Sequence, residues 1–160
     1  MKIIKEIIPY AIIVIFVVLL RTFVVTPVIV SGDSMNNTLK DNDILLLKKY
    51  DKSYERKDII VFDYKDSKLV KRIIGLPGET VRYEDGILYI NDEIVADEFS
   101  TITSDFDLKY FDIDVIPSGY YFVLGDNRNH SSDSRILGLI SEEDIEGTTS
   151  FSLWPFKKIK

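Results

Sequence analysis

The chain has 160 residues, of which 46% are hydrophobic, and its formal net charge is −6 at pH 7. This length and apolar content suffice for one compact domain with a small appendage. The negative charge leaves no basic surface for phosphates, which argues against a nucleic-acid-binding protein. The sequence contains no cysteine, which excludes disulfides, thiolate metal sites and a cysteine nucleophile.

The N-terminus is dominated by an apolar run. Residues 7–20, IIPYAIIVIFVVLL, carry no charge, and FVVTPVIV continues the run after Arg21. The segment from Ile7 to Val25 approaches the length of about 20 residues that a helix needs to cross a bilayer, provided that Arg21 reaches the headgroups. It has no polar face, and no A-x-A-like cleavage site follows it. A retained transmembrane signal anchor is therefore favoured over a buried core helix or a cleaved signal peptide.

The charges around this run predict its orientation. Lys2 and Lys5 precede it, so the positive-inside rule predicts a cytoplasmic N-terminus in a single-pass membrane protein. We expect residues 1–27 to form the signal anchor with its cytoplasmic end, and residues 28–160 to form a domain on the outer face.

After the apolar run the pattern is that of a β-protein. YEDGILYINDEIV (83–95) is typical of strands joined by tight turns, and SEEDIEG (141–147) is typical of one helical turn capped by Ser141. Residues 100–114 lack clear periodicity. Short runs rich in Ile, Val, Tyr and Phe predict strands at ILLL (44–47), DIIVFDY (58–64), KLVKRIIG (68–75), TVRY (80–83), ILYI (87–90), YYFVLG (120–125) and TTSFSLW (148–154). The expected fold is a single, mainly β domain behind an N-terminal transmembrane helix.

The histidine count limits the possible chemistry. His130 is the single histidine, so a metal cage of several histidines is excluded, and a Ser-His-Asp triad is possible only if His130 is its base. His130 lies in GDNRNHSSDSR (125–135), a polar loop in which a solvated side chain is more common than a base.

Lys71 is an alternative base. A free lysine has a pKa of about 10.4, and burial can lower that value by the three units that a base at pH 7 requires. Strand alternation in KLVKRIIG places Lys71 on one face between Leu69 and Ile73, which exclude water. The competing interpretation is that Lys71 and Arg72 are exposed charges that protect an edge strand.

Two polar loops offer further candidates. SGDSMNNTL (31–39) contains Ser34, whose hydroxyl is either a turn-forming group or a nucleophile close to the end of the apolar run. Gly32 in this loop lets the backbone of the loop approach a substrate closely. GDNRNHSSDSR is either a solvated loop with weak ion pairs or a hydrogen-bonded platform, in which a hydroxyl such as Ser131 holds a neutral lysine amine.

In this order the motifs resemble those of bacterial type I signal peptidases, the membrane-anchored Ser-Lys proteases. The similar segments are SGDSM…TL, DNDILLL, VKRIIGLPGE, DGILYIN and GDNRNHSSDSR. The single anchor and the small size resemble the Gram-positive form of the family. The resemblance implies a β-rich signal-peptidase-like fold, removal of signal peptides from exported preproteins, and chemistry without a metal or cofactor.

The resemblance also assigns roles to residues. It implies that Ser34 is the nucleophile, that its backbone N–H contributes to the oxyanion hole, and that Lys71 is the general base. Ser131 corresponds to the hydroxyl that orients the lysine. The remaining supporting residues are Asp126, Asp133 and Arg135, the last two as an ion pair. The residues that fall where the family lines pockets for the substrate's −1 and −3 side chains are Val28, Val30, Met35, Leu69 and Val70.

Two positions depart from the family pattern. Gly32 stands where the Gram-negative form has a serine that donates to the oxyanion. Asn37 replaces the proline of Ser-Met-x-Pro-Thr-Leu. Because proline presets a turn and asparagine adopts turns less rigidly, we expect a less precise loop after Ser34.

The resulting hypothesis is a membrane-bound serine endopeptidase that cleaves preproteins with small residues at −1 and −3 at the outer face of the membrane. The lipid bilayer and the secretion translocon are its other expected partners, and nucleic acid is not expected. The alternatives are a self-cleaving Ser-Lys protease, a serine hydrolase that uses His130, and a membrane-tethered binding domain without catalysis.

Overall fold

The computed structural model describes residues 2–99 and 103–159, and residues 100–102 of the aperiodic stretch 100–114 lie outside the described residues. The N-terminal run forms the helix α1 (Lys2–Phe23). In the part of the chain that the structure describes, no helix is both long enough and apolar enough to cross a membrane, so the predicted transmembrane helix is not supported. The apolar run is also divided, because its last residues, VTPVI, leave the helix and form a strand.

The rest of the described chain is mainly β, as the sequence predicts. The strands are β1 (Val25–Ile29), β2 (Ile44–Lys48), β3 (Ile59–Tyr64), β4 (Ser67–Gly75), β5 (Val81–Glu84), β6 (Ile87–Ile90), β7 (Glu93–Val95), β8 (Phe106–Asp107), β9 (Tyr120–Leu124), β10 (Ile140–Ser141), β11 (Ile145–Trp154) and β12 (Lys157–Lys158). The short helix α2 spans Ser134–Leu137, and 3-10 turns span Leu108–Phe111 and Glu142–Asp144. Ser141 caps the second turn through its side chain, as predicted.

These strands form two antiparallel sheets. The larger has the order β1-β2-β11-β3-β4-β9-β10, with β12 paired to β11, and the smaller has the order β7-β6-β5-β8. Strand β4 lies inside the larger sheet, where Lys71 pairs with Ile60 of β3 and Arg72 with Leu124 of β9. The interpretation of Lys71 and Arg72 as exposed charges on an edge strand is therefore wrong, and both side chains are buried.

The loop between β1 and β2 is anchored by apolar burial. Met35 and Leu39 are 1% and 0% exposed and pack with Val30, Leu45 and other side chains of one core cluster. Burying each of these side chains contributes about 2 kcal/mol. The polar residues between Met35 and Leu39 are thereby held at a fixed place above the larger sheet.

Candidate active site

Ser34 lies in a tight turn between the exposed Asp33 and the buried Met35. The backbone N–H of Asn36 donates to the carbonyl of Asp33 at 2.9 Å, and the N–H of Leu39 donates to that of Met35 at 2.8 Å. Met35 is buried directly after Ser34, whereas Ser34 itself is half-buried. The turn therefore fixes the backbone on both sides of Ser34 and leaves the residue partly exposed.

The Lys71 amine points to the Ser34 hydroxyl. Lys71 Nζ donates to Ser34 Oγ at 2.8 Å and to the carbonyl oxygen of Val70 at 3.0 Å. The Lys71 side chain is 2% exposed. The two residues are separated by β2 and β3 in the chain, and the fold brings them within hydrogen-bond distance.

Burial changes the proton affinity of this amine. Desolvation lowers the pKa of Lys71 from 10.5 to about 8, although the charges of Asp133 and Asp126 act to raise it. With a pKa of about 8, about a tenth of the amines are neutral at pH 7, which is far more than for a free lysine. A neutral amine can accept the proton of a serine hydroxyl, so the pair has the geometry and the electrostatics of a nucleophile with its base.

A buried ion pair supports the other face of β4. Arg72 Nε donates to Asp126 Oδ1 at 2.8 Å and Arg72 Nη2 donates to Asp126 Oδ2 at 2.7 Å, with side chains 2% and 0% exposed. Asp126 also accepts from Thr38 Oγ1 at 2.5 Å. The ion pair thus joins β4 to the loop that carries Ser34.

The loop 125–135 contacts the nucleophile loop through its backbone. The N–H of Asn127 donates to the carbonyl of Ser34 and its Nδ2 donates to that of Asp33, both at 3.0 Å. Gly125 permits this approach, because a Cβ at that position would lie 2.5 Å from the Ser34 carbonyl oxygen and 2.2 Å from Ser131 Oγ. Any side chain at position 125 would separate the two loops.

Asp133 closes the same loop. Its carboxylate is fully buried and accepts hydrogen bonds from Arg135 Nε at 2.8 Å and Nη2 at 2.9 Å. It also accepts from the backbone N–H of Gly125 at 3.0 Å. Asp133 is also the N-cap of α2. The sequence-predicted pair of Asp133 and Arg135 therefore lies together, and Asp133 also binds Gly125, which approaches the Ser34 carbonyl.

Two residues of the loop stand apart from this network. Ser131 Oγ is buried and has no hydrogen-bond partner among the described residues, so it does not bind Lys71 in this structure. His130 is exposed, and its backbone N–H donates to the carbonyl of Asn127. The role of Ser131 as the orienting hydroxyl stays a prediction.

The five predicted pocket residues lie in different surroundings. Val30, Met35 and Val70 pack in the same core cluster, where the first two are almost fully buried. Leu69 packs against a different cluster, and Val28 is half-buried in β1, opposite Leu45 of β2.

The two departures from the family pattern have defined backbone conformations. Gly32 has a φ of 92° and donates its N–H to Asp41 Oδ1 at 2.8 Å. Asn37 has a φ of 114°, and its N–H donates to Asn36 Oδ1 at 3.1 Å. The Asn37 backbone is one that a proline ring, with its φ near −65°, cannot adopt.

Sequence reasoning missed three residues that build the site. The sequence analysis did not single out Thr38, Asn127 or Arg72 as parts of the site. The position of Arg72 next to Lys71 in an apolar strand was the available signal, because a buried arginine requires a carboxylate partner. Among the described residues no group of three or more His, Asp or Glu side chains is placed to hold a metal ion.

Comparisons with known proteins show the family of the chain. Residues 3–154 match the family model described as signal peptidase, peptidase S26. Signal peptidase I of Bacillus amyloliquefaciens is 37% identical, covering 92% of this chain and 85% of that protein. Signal peptidase IB of Staphylococcus aureus (strain COL) is 35% identical, covering 99% and 93%. The crystal structure of a signal peptidase I from Enterococcus faecalis V583 is 38% identical with a TM-score of 0.56, covering 60% of this chain and 96% of that one.

Proposed function

Since the chain belongs to the signal peptidase family, peptidase S26, and is a serine endopeptidase that removes signal peptides, we propose that Ser34 is its nucleophile and Lys71 its general base. The observation that carries this proposal is the 2.8 Å contact between Lys71 Nζ and Ser34 Oγ. The lowered pKa of Lys71, caused by burial, supports it.

The first half of the reaction forms an ester. The neutral Lys71 amine takes the proton of the Ser34 hydroxyl while Oγ attacks the carbonyl carbon of the substrate's −1 residue. The backbone N–H of Ser34 faces the oxygen that becomes negative. The peptide C–N bond then breaks, and the ammonium of Lys71 returns the proton to the leaving amine of the mature protein.

The second half regenerates the enzyme. Lys71, neutral again, takes a proton from water while the water oxygen attacks the ester carbon. The C–Oγ bond breaks, Ser34 recovers its proton from Lys71, and the signal peptide leaves with a carboxylate. The ion pairs of Arg72 with Asp126 and of Arg135 with Asp133 hold the two loops in place during both halves. The proposed substrates are preproteins with small residues at −1 and −3.

We also propose that α1 attaches the domain to a lipid bilayer, with the N-terminus in the cytoplasm and the catalytic domain on the outer face. The support is the apolar surface of α1, where side chains such as Ile12 and Phe16 are about 60% exposed. An apolar surface of this extent is unfavourable in water and typical of contact with lipid. Resistance to alkaline extraction from membranes, and protease access to tags at each end of the full chain, test the attachment and the orientation.

The test of the catalytic pair is a processing assay with a purified preprotein in detergent or lipid. Ser34→Ala and Lys71→Ala are expected to abolish cleavage, and His130→Ala to leave it within about twofold of wild type. Full activity of the Lys71 variant, together with loss in the His130 variant, would overturn the proposal. Mass spectrometry of the product checks that cleavage occurs after a small −1 residue.

A further inference from the structure

The segment after β7 crosses from the small sheet to the cations of the active site. Three consecutive residues, which we name the 97–99 strap, each contact a different basic side chain. Asp97 binds Arg128, Glu98 binds Lys57, and Phe99 lies over Arg72. None of these contacts belongs to the Ser34–Lys71 pair, but two of the three cations support it.

Asp97 is the partner of a fully buried arginine. Its carboxylate receives both Nη1 and Nη2 of Arg128, the latter at 2.9 Å, and also accepts from the hydroxyl of Tyr83 at 2.8 Å. Arg128 Nη1 contacts the same hydroxyl at 2.8 Å. Burial raises the pKa of Tyr83, so its hydroxyl stays protonated and able to donate. Asp97, Arg128 and Tyr83 therefore form a closed, buried triad between the small sheet and the loop 125–135.

Arg128 joins this triad to the active-site loop 125–135. Its Nε donates to the carbonyl of Gly125 at 3.0 Å, and its own carbonyl accepts from Arg135 Nη2 at 2.7 Å. Gly125 packs against the Ser34 carbonyl, and Arg135 binds Asp133. The placement of the loop against Ser34 thus depends on a guanidinium whose carboxylate partner is Asp97.

Phe99 contacts Arg72, the second arginine that supports the active site. Its ring centroid lies 4.6 Å from the Arg72 guanidinium carbon, within the range of a cation–π contact. Arg72 binds Asp126, and Asp126 binds Thr38 in the nucleophile loop. The strap also borders a cavity of about 310 Å³ that Arg72 and Ile74 line. Close packing does not fix the strap on that side, so we assign its position to the contacts of Asp97 with Arg128 and of Phe99 with Arg72.

We propose that Asp97 and Phe99 are positioning residues of the cleavage reaction, which hold Arg128 and Arg72 in place and thereby set the alignment of Ser34 with Lys71. This inference rests on the proposed function of that pair. Without Asp97, Arg128 loses its carboxylate, the loop 125–135 loosens, and water reaches Lys71. Asp133 and Asp126 then face a better-hydrated ammonium, and the pKa of Lys71 rises toward that of a free lysine.

The experiment compares Asp97→Asn with Glu98→Gln in the full chain. Glu98→Gln is a matched control, because it also removes one negative charge and lies one residue away. The ion pair that it breaks, Glu98 with Lys57, is exposed on both sides. We expect Asp97→Asn to lower kcat by about ten- to a hundredfold with little change in KM, and to move the acidic limb of the pH profile upward. Glu98→Gln is expected to stay within about twofold of wild type in both parameters. A purely structural role would lower the melting temperature without moving the pH limb.

Two further measurements separate the possible failures. Phe99→Leu keeps an apolar side chain. We expect it to lower kcat less than Asp97→Asn does and to move the acidic limb of the pH profile in the same direction. If Asp97→Asn does not fold, Phe99→Leu tests the proposal instead. Lys71 is also titrated by NMR of ¹³C-labelled lysine, with Lys71→Met for assignment. A wild type that processes no preprotein refutes the proposed function. A folded Asp97→Asn or Phe99→Leu with the wild-type kcat and Lys71 titration refutes the positioning role.

Discussion

Lys71 and Arg72 are adjacent in β4 and equally buried, yet their surroundings differ in one respect. Arg72 binds the carboxylate of Asp126 with two nitrogens and the carbonyl of Lys57 with a third. In the described part of the chain, Lys71 Nζ hydrogen-bonds two neutral oxygens, those of Ser34 and Val70. One face of the strand therefore carries a paired cation and the other an unpaired amine.

This difference separates a structural charge from a reactive group. A buried cation with a carboxylate in contact keeps its proton and fixes the elements that it joins. A buried amine without one loses its proton more readily, because desolvation penalises the charged form. The fall of the Lys71 pKa from 10.5 to about 8 corresponds to a destabilisation of the folded state of about 3 kcal/mol at pH 7. The fold tolerates this destabilisation at the position where a base is needed.

Removing the Lys71 amine gives the largest expected effect. Lys71→Met keeps the length and volume of the side chain but leaves Ser34 without a proton acceptor. We expect cleavage to fall by at least about a thousandfold, the upper range for loss of a general base. The free energy of unfolding at pH 7 is expected to stay equal or to rise, because the desolvated ammonium is gone. Single-turnover processing and urea denaturation measure the two quantities.

The pH dependence of stability checks the same variant. The unfolded chain keeps the Lys71 proton up to about pH 10.5 and the folded chain only up to about pH 8. The wild-type free energy of unfolding should therefore rise with pH through this window, and the part of the rise due to Lys71 should vanish in Lys71→Met. A variant that is less stable than wild type at pH 7 would contradict the assignment of Lys71 as an unpaired buried amine.

Breaking the ion pair should have the opposite signature. Asp126→Asn leaves the Arg72 guanidinium buried without a counter-charge, and we expect a loss of about 3–5 kcal/mol in the free energy of unfolding. The double variant Arg72→Met with Asp126→Leu should recover much of this loss, because no charge stays buried. Chemical denaturation of wild type and the two variants measures the loss and its recovery. An Asp126→Asn protein as stable as wild type would mean that the two faces of β4 do not differ as described.

Asn37 tests how the loop above this strand is held. Since its φ of 114° is closed to proline, Asn37→Pro should cost about 1–3 kcal/mol and should remove the hydrogen bond to Asn36. Asn37→Gly favours a positive φ and is expected to preserve both stability and cleavage. If Asn37→Pro raises both instead, the loop conformation described above is wrong.

The sequence predicted the strands that bury their side chains and missed those that are defined by pairing. Runs such as IIVF in β3 contain enough branched and aromatic residues to predict a strand without tertiary information. The two-residue strands β8, β10 and β12 have no periodicity of their own and exist because a neighbouring strand supplies their hydrogen bonds. β1 was missed because its apolar residues continue those of the helix.

The site divides in the same way. Ser34, Lys71 and the loop 125–135 were identified from their motifs, and alternation correctly placed Lys71 in an apolar setting. The motifs did not identify the partners Thr38, Asn127 and Asp97. Their contacts join segments that are far apart in the chain, such as those of Thr38 and Asp126. Asn37 shows a further limit. Its identity predicted a looser turn, whereas the structure gives it a backbone that excludes the residue it replaces.

The pH profile of cleavage should show the smallest effect and the clearest sign. The proposed reaction needs the neutral amine, whose fraction falls tenfold for each pH unit below the pKa. With the Lys71 pKa at about 8, log kcat/KM should rise with a slope of about one between pH 6 and 7 and level off above pH 8, about tenfold above its value at pH 7. His130→Asn should leave this limb unchanged. A limb near pH 6.5 that disappears in His130→Asn would instead indicate an imidazole base, and the contrast between Lys71 and Arg72 would then have no catalytic meaning.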